Sequence, residues 1–202
     1  MNISKRITIF LLVCFISLPC IAHRHSGAYA DILENTSDYT DAEKLSRAVE
    51  YFQSGKYHEA LIWFSKLDKK YKLNPRFQAY MGVCCYYDGE YKRAIEALEP
   101  ILPKLKAFAP HELAVYYYSV ADSYFRLNKY IDAVPFYEKH TLLCYNNEKG
   151  DSLFRIGICY RCLGDIEIAQ EYFVEALAYF RRYNDTDRLK YIERELERST
   201  DN

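Results

Sequence analysis

Four short stretches of this chain say nearly the same thing. Ser54–Ala60 reads SGKYHEA, Asp88–Ala94 reads DGEYKRA, Leu127–Ala133 reads LNKYIDA and Leu163–Ala169 reads LGDIEIA. Their starts lie 34, 39 and 36 residues apart. A period of this length marks a chain assembled from helix–turn–helix units, each of which needs a neighbour to bury its apolar face. The flanks agree. AEKLSRAVEYFQ (Ala42–Gln53) precedes the first phrase and HEALIWFSKLDKKY (His58–Tyr71) overlaps and follows it, both with apolar residues at three- and four-residue steps.

Each position of the phrase has a physical task. Gly55, Gly89, Asn128 and Gly164 share one place. Helices commonly end on a residue in the left-handed conformation, which Gly adopts freely and Asn tolerates. Two residues on, Tyr57, Tyr91, Tyr130 and Ile166 anchor the start of the second helix. Ala60, Ala94, Ala133 and Ala169 follow, facing Ala48, Gly82, Ala121 and Gly157 on the first helix. Small side chains on both sides let paired helices approach to the short end of the ~8–10 Å range. Phe64, Leu98, Tyr137 and Phe173 on the second helix fill the space beside that contact. On the first helix Tyr51, Cys85, Tyr124 and Tyr160 do the same.

With these positions in place, Ala42 to Tyr183 resembles the tetratricopeptide repeat family. The resemblance implies an all-α fold, an α-solenoid of four such repeats at about 42–75, 76–114, 115–150 and 151–183. The family's Ala late in the second helix is kept only at Ala176, with Leu67, Ile101 and His140 in the other units. The family's closing Pro is absent from its own position, while Pro75 and Pro110 suit the first position of a helix. Pro100 and Pro103 should end or kink the second helix of the longer unit, whose extra residues are expected to bulge out of the stack. Pro135 predicts a bend. Asp185–Arg198 sets Leu189, Ile192 and Leu196 on one face, as a capping helix for the last repeat requires.

The first 22 residues read differently. Lys5 and Arg6 precede the apolar run Ile7–Leu18, Pro19 breaks it, and CIA ends at Ala22. That is the layout of a cleaved secretory signal peptide, with Ala30 a second possible cleavage point and an uncleaved anchor the alternative. Residues 23–41 carry no sustained period and read as a flexible lead-in. Cleavage after Ala22 takes the formal charge from −1 to −3. Export, with a bacterial periplasm or outer envelope as the expected setting, puts five cysteines in an oxidising compartment. An odd count and a sufficient core argue against a disulfide framework.

Chemistry is sparse. With 27 basic and 28 acidic side chains the charge is balanced, which argues against nucleic acid as a partner. The CxxC of Cys159 and Cys162 falls at a helix end, where the dipole does not lower a thiol pKa. His58 and His140 stand singly on helices, no nucleophile–base–acid set converges, and no cofactor or metal site is nominated within the repeats. A mature chain starting His23-Arg24-His25 could chelate Cu(II), against the plainer reading of a solvated tail. The expectation is a non-catalytic module. By family resemblance a protein or peptide ligand lies against the first helices of the repeats. The candidates there are Tyr80, Tyr87, Tyr118, Asp122, Arg126, Phe154, Arg155 and Arg161. A homodimer formed through the same Tyr-rich face is the alternative. No membrane insertion is expected once the signal is removed.

Overall fold

The computed structural model describes residues 39–200. The expectations for the signal peptide, for His23 and His25 and for nearly all of the lead-in lie outside them. Nine α-helices and one 3₁₀ segment make up the described chain: α1 (Asp41–Gln53), α2 (Tyr57–Tyr71), α3 (Pro75–Tyr87), α4 (Tyr91–Leu98), the 3₁₀ segment (Glu99–Leu105), α5 (Pro110–Arg126), α6 (Tyr130–Leu143), α7 (Asn146–Leu163), α8 (Ile166–Arg182) and α9 (Thr186–Thr200). Consecutive helices pack on each other from α1 to α9, and no strand occurs among the described residues.

Local chemistry sets the helix starts. Thr40 and Glu43 form a reciprocal cap on α1: Glu43 N donates to Thr40 Oγ1 at 3.3 Å and Thr40 N donates to Glu43 Oε2 at 2.8 Å. Asn74 Oδ1 accepts from Arg76 N and Phe77 N, with Pro75 in the first helical position of α3, where its missing N–H is harmless. Pro110 opens α5 in the same way.

The repeated phrase closes the first helix of every pair identically. Lys56, Glu90, Lys129 and Asp165 donate their N–H back to the carbonyls of Tyr51, Cys85, Tyr124 and Tyr160, at 2.8–2.9 Å. The intervening residue is left-handed each time, with φ 58° at Asn128 and 91° at Gly164. Asp185 N bonds Phe180 O in the same pattern after α8, with Asn184 at φ 54°. That fifth turn is not marked by a fifth copy of the phrase.

The crossings are as tight as the small residues imply. A Cβ on Gly82 would lie 2.5 Å from Leu98 Cγ, and one on Gly157 would lie 2.6 Å from the Phe173 ring. Phe64, Leu98, Tyr137 and Phe173 are all fully buried beside these contacts.

One expectation is corrected. α4 does stop before Pro100, but the residues beyond it do not bulge out of the stack. They form the 3₁₀ segment, which turns Ile101, Leu102 and Leu105 inward to pack with Val83, Tyr116 and Val120. Burial of three large apolar groups outweighs the poorer hydrogen-bond geometry of a 3₁₀ turn. α6 continues through Pro135, whose side chain is exposed near the helix start. In α9, Ile192 is fully buried, and Leu189 and Leu196 are partly buried against Leu153, Phe173 and Phe180 among others.

Candidate functional site

The first helices of the units, α3, α5 and α7, carry all eight candidate residues. The repeat pattern sets the register, because the small residue of each crossing faces the partner helix. Residues on the opposite side of the same helix are then turned toward the adjoining repeats and solvent.

Aromatic rings link the N-terminal part of this surface. Tyr80 stacks on Phe52 of α1 with centroids 4.3 Å apart. Tyr87 stacks on Tyr57 at 4.1 Å and meets Tyr86 edge-on, yet stays 47 % exposed. Tyr86 in turn meets Tyr118 of α5, which packs against Tyr137 and His140 of α6. Burial raises the phenol pKa of Tyr80, Tyr86 and Tyr118, with nearby carboxylate charge adding to it, so these hydroxyls remain protonated donors.

Charge takes over further along. Asp122 is read from sequence as an outward residue that could touch a ligand, and this is corrected: it is 1 % exposed. Tyr86 and Tyr137 donate their hydroxyls to it at 3.1 and 3.0 Å, and Arg126 Nε donates at 3.1 Å. Arg155 Nε of α7 lies 3.8 Å from its other oxygen. The reason is the neighbouring repeats: α3 sends Tyr86 and α7 sends Arg155 to a carboxylate that α5 alone would leave facing water. A buried carboxylate holds its place only with such partners. Asp122 thus binds three repeats together and orients the two arginines.

Those arginines keep accessible surface. Arg126 is 43 % exposed at its side chain and Arg155 is 23 % exposed, its guanidinium lying 4.7 Å from the Phe125 ring. Arg161 and Phe154, at the C-terminal end, are engaged with α9. Arg161 pairs with Glu195, a carboxylate that Arg198 also contacts at 3.2 Å, and Phe154 meets Tyr191 edge-on at 5.3 Å. Glu195 is buried, which the amphipathic pattern of α9 did not reveal, since a charged residue next to an apolar stripe reads as solvated. At both places two guanidiniums share one buried carboxylate.

The CxxC pair behaves as packing chemistry on one side only. Cys159 is buried and Cys162 is exposed, and the five described cysteines are all free thiols. Burial pushes the Cys159 thiol up to about 12, the direction opposite to an activated nucleophile. Among the described residues no helix is long and apolar enough to cross a membrane.

The described structure is an all-α repeat solenoid, each unit a hairpin of two helices with a small-residue crossing. Residues 150–182, the fourth hairpin, match the family model of the tetratricopeptide repeat. A crystal structure of the MamA protein superposes with a TM-score of 0.58 over 79 % of this chain and 82 % of its own, at 19 % identity. A point mutant of MamA gives 0.62 over 80 % and 85 %, at 18 % identity. These likenesses concern the fold alone. No curated protein matches the sequence. The fourth hairpin thus matches the tetratricopeptide repeat in sequence, and the chain shares the helical-hairpin fold of these structures.

Proposed function

We propose that this chain is a non-catalytic scaffold of the cell envelope. In this reading it holds an extended, acidic stretch of a protein partner along the outward side of α3, α5 and α7, in the concave groove that stacked first helices create. The supporting observation is the Tyr87–Arg126–Arg155 surface. Exposed Tyr87 offers a ring already fixed by its stack on Tyr57. Arg126 and Arg155 divide the charge of Asp122 between them, so the pair carries one positive charge more than its internal acid neutralises. Tyr and Arg, held rigid before binding, are the side chains that dominate binding energy at protein interfaces. An acidic segment would meet that excess charge, and backbone carbonyls would meet the guanidinium N–H groups.

The envelope setting is supported by Lys5, Arg6, the Ile7–Leu18 run and the small residues ending at Ala22. Fractionation of the native host with N-terminal sequencing tests it: a mature chain beginning at His23 or Asp31 is expected, and an intact Met1 in the cytosol contradicts it. The ligand face is tested by a photoreactive amino acid placed at position 87 or at position 174. Val174 is an exposed residue of α8, the second helix of its hairpin. Position 87 should crosslink to one defined protein and position 174 should not; equal crosslinking refutes the assignment. The same exposed Tyr87 also suits a homodimer, which light scattering during size exclusion identifies by a doubled mass at micromolar concentration.

A further inference from the structure

The α6–α7 junction brings together three side chains of different chemistry that the sequence spaces at 140, 144 and 148. His140 lies in the last turn of α6, Cys144 caps that helix, and Glu148 lies in the first turn of α7. One ring nitrogen of His140, the sulfur of Cys144 and a carboxylate oxygen of Glu148 all lie within 4.8 Å of one another. We propose that these three residues form a binding site for a zinc-class divalent cation that clips the third repeat to the fourth.

The donor set suits that ion. Zinc takes imidazole nitrogen, thiolate and carboxylate together, with bonds of ~2.0–2.3 Å that set tetrahedral ligand atoms about 3.5 Å apart. Rotamer adjustments of about 1 Å bring the three atoms to that spacing. A harder cation such as magnesium would not choose sulfur and imidazole.

Two of the three ligands are already held from behind. His140 Nδ1 lies 2.7 Å from Ser152 Oγ of α7, in a buried contact. With Nδ1–H donating to that hydroxyl, Nε2 is the nitrogen left for the cation, the arrangement in which a second partner fixes tautomer and ring orientation. Tyr145 N donates to Glu148 Oε2 at 3.1 Å, which fixes that carboxylate and leaves Oε1 for the ion. On binding, Cys144 releases its proton to solvent as the metal–sulfur bond forms. Three protein ligands leave the fourth position to water.

The site joins elements that the helical hydrogen bonds do not join. His140 and Cys144 end one hairpin, and Glu148 and Ser152 begin the next. A cation there fixes the angle between the third and fourth repeats, and so the distance between Arg126 on α5 and Arg155 on α7.

The test uses the full chain under a thiol reductant, titrated with Zn²⁺ against a chelating dye and with Co²⁺ as a spectroscopic probe. One cation per chain is expected, and Co²⁺ should give a thiolate-to-cobalt charge-transfer band in the near ultraviolet. Cys144→Ser should abolish that band, and Cys162→Ser should leave it intact. Glu148→Gln keeps an acceptor for Tyr145 N and should fold as the wild type while losing at least tenfold in zinc affinity. Ser152→Ala, which removes only the support of His140, should lose roughly 10–100-fold. Zinc that stays equally tight in Cys144→Ser or Glu148→Gln overturns the proposal, as does a wild-type chain that takes up neither metal.

Discussion

The junction between the first two repeats and the junctions among the later ones are built from different chemistry. Between α1, α2 and α3 the contacts are mostly rings: Phe52 on Tyr80, Tyr57 on Tyr87, and Phe64 near Phe77 and Tyr80, with one polar contact at the edge, His58 Nδ1 2.7 Å from Asp88 Oδ2. Between α3, α5 and α7 the junction turns on Asp122 and its four partners, and between α7 and α9 it turns on Arg161 and Glu195. Within each hairpin, by contrast, the crossing is the same four times over. The crossings therefore follow one pattern, and the seams between hairpins are where this chain has become particular. Apolar stacks hold position without regard to salt or pH, whereas a buried carboxylate ties position to charge.

Asp122→Ala should break the later seam most severely. It removes the acceptor of two buried or half-buried tyrosine hydroxyls and leaves two neighbouring guanidiniums facing each other. A loss of about 3 kcal/mol is expected, the low end for a broken buried pair because Arg126 is partly solvated. Urea unfolding measures it, and a loss under about 1 kcal/mol would mean that the seam is held by packing instead.

His140 sharpens the comparison through pH. Burial depresses its pKa from 6.5 to about 4, so the unfolded chain binds the extra proton first as the solution is acidified. Stability from this residue is complete above pH 6.5 and is lost progressively as pH falls toward 4. The slope approaches 1.4 kcal/mol per pH unit, with a ceiling of about 3 kcal/mol. In EDTA, to keep cations out, His140→Gln should flatten the slope that wild type shows across that window. An identical slope in both proteins would show that His140 does not stay neutral in the fold.

Gly157→Ala probes the uniform part. Helix propensity alone favours Ala over Gly by up to ~1 kcal/mol. The new methyl group would nevertheless sit 2.6 Å from the buried Phe173 ring, so overpacking wins and a net loss of about 1–2 kcal/mol is expected in thermal melts. Tyr80→Leu on the aromatic seam should have the smallest effect, about 1 kcal/mol for the lost ring pair. It should be the same in 50 mM and 500 mM salt, and a strong salt dependence would erase the contrast between the two kinds of seam.

The sequence carried the hairpins openly because each of their requirements falls on one residue type at a fixed step. Ala133 must be small and Asn128 must turn left-handed, and neither needs knowledge of a distant partner. The seams were harder to read. Asp122 on a helix surface looks solvated until Tyr86, some 36 positions earlier, is known to reach it. Glu195 hid for the same reason. The prolines at 100 and 103 marked the end of α4 correctly, but whether the next residues turn in or out depends on a space left open by the neighbouring helices. His140 reads in the sequence as standing singly on its helix, because the helix break between Cys144 and Glu148 is what lets the three side chains converge. Of the candidate face, Tyr87 and Arg126 keep exposed surface, while Arg161 and Phe154 are largely taken up by α9.

The central claim is that the surface around Asp122 binds a partner through the charge of Arg126, while Tyr86, Tyr137 and Arg155 keep Asp122 partnered. The most direct measurement is the affinity of the protein captured at position 87 for wild type, Arg126→Gln and Val174→Gln, with a melting curve for each. Gln at position 126 keeps an N–H donor for Asp122, so at least a tenfold loss of affinity is expected with a melting point within a few degrees of wild type, and no loss for Val174→Gln. Unchanged affinity in Arg126→Gln, or an equal loss in both variants, would contradict it.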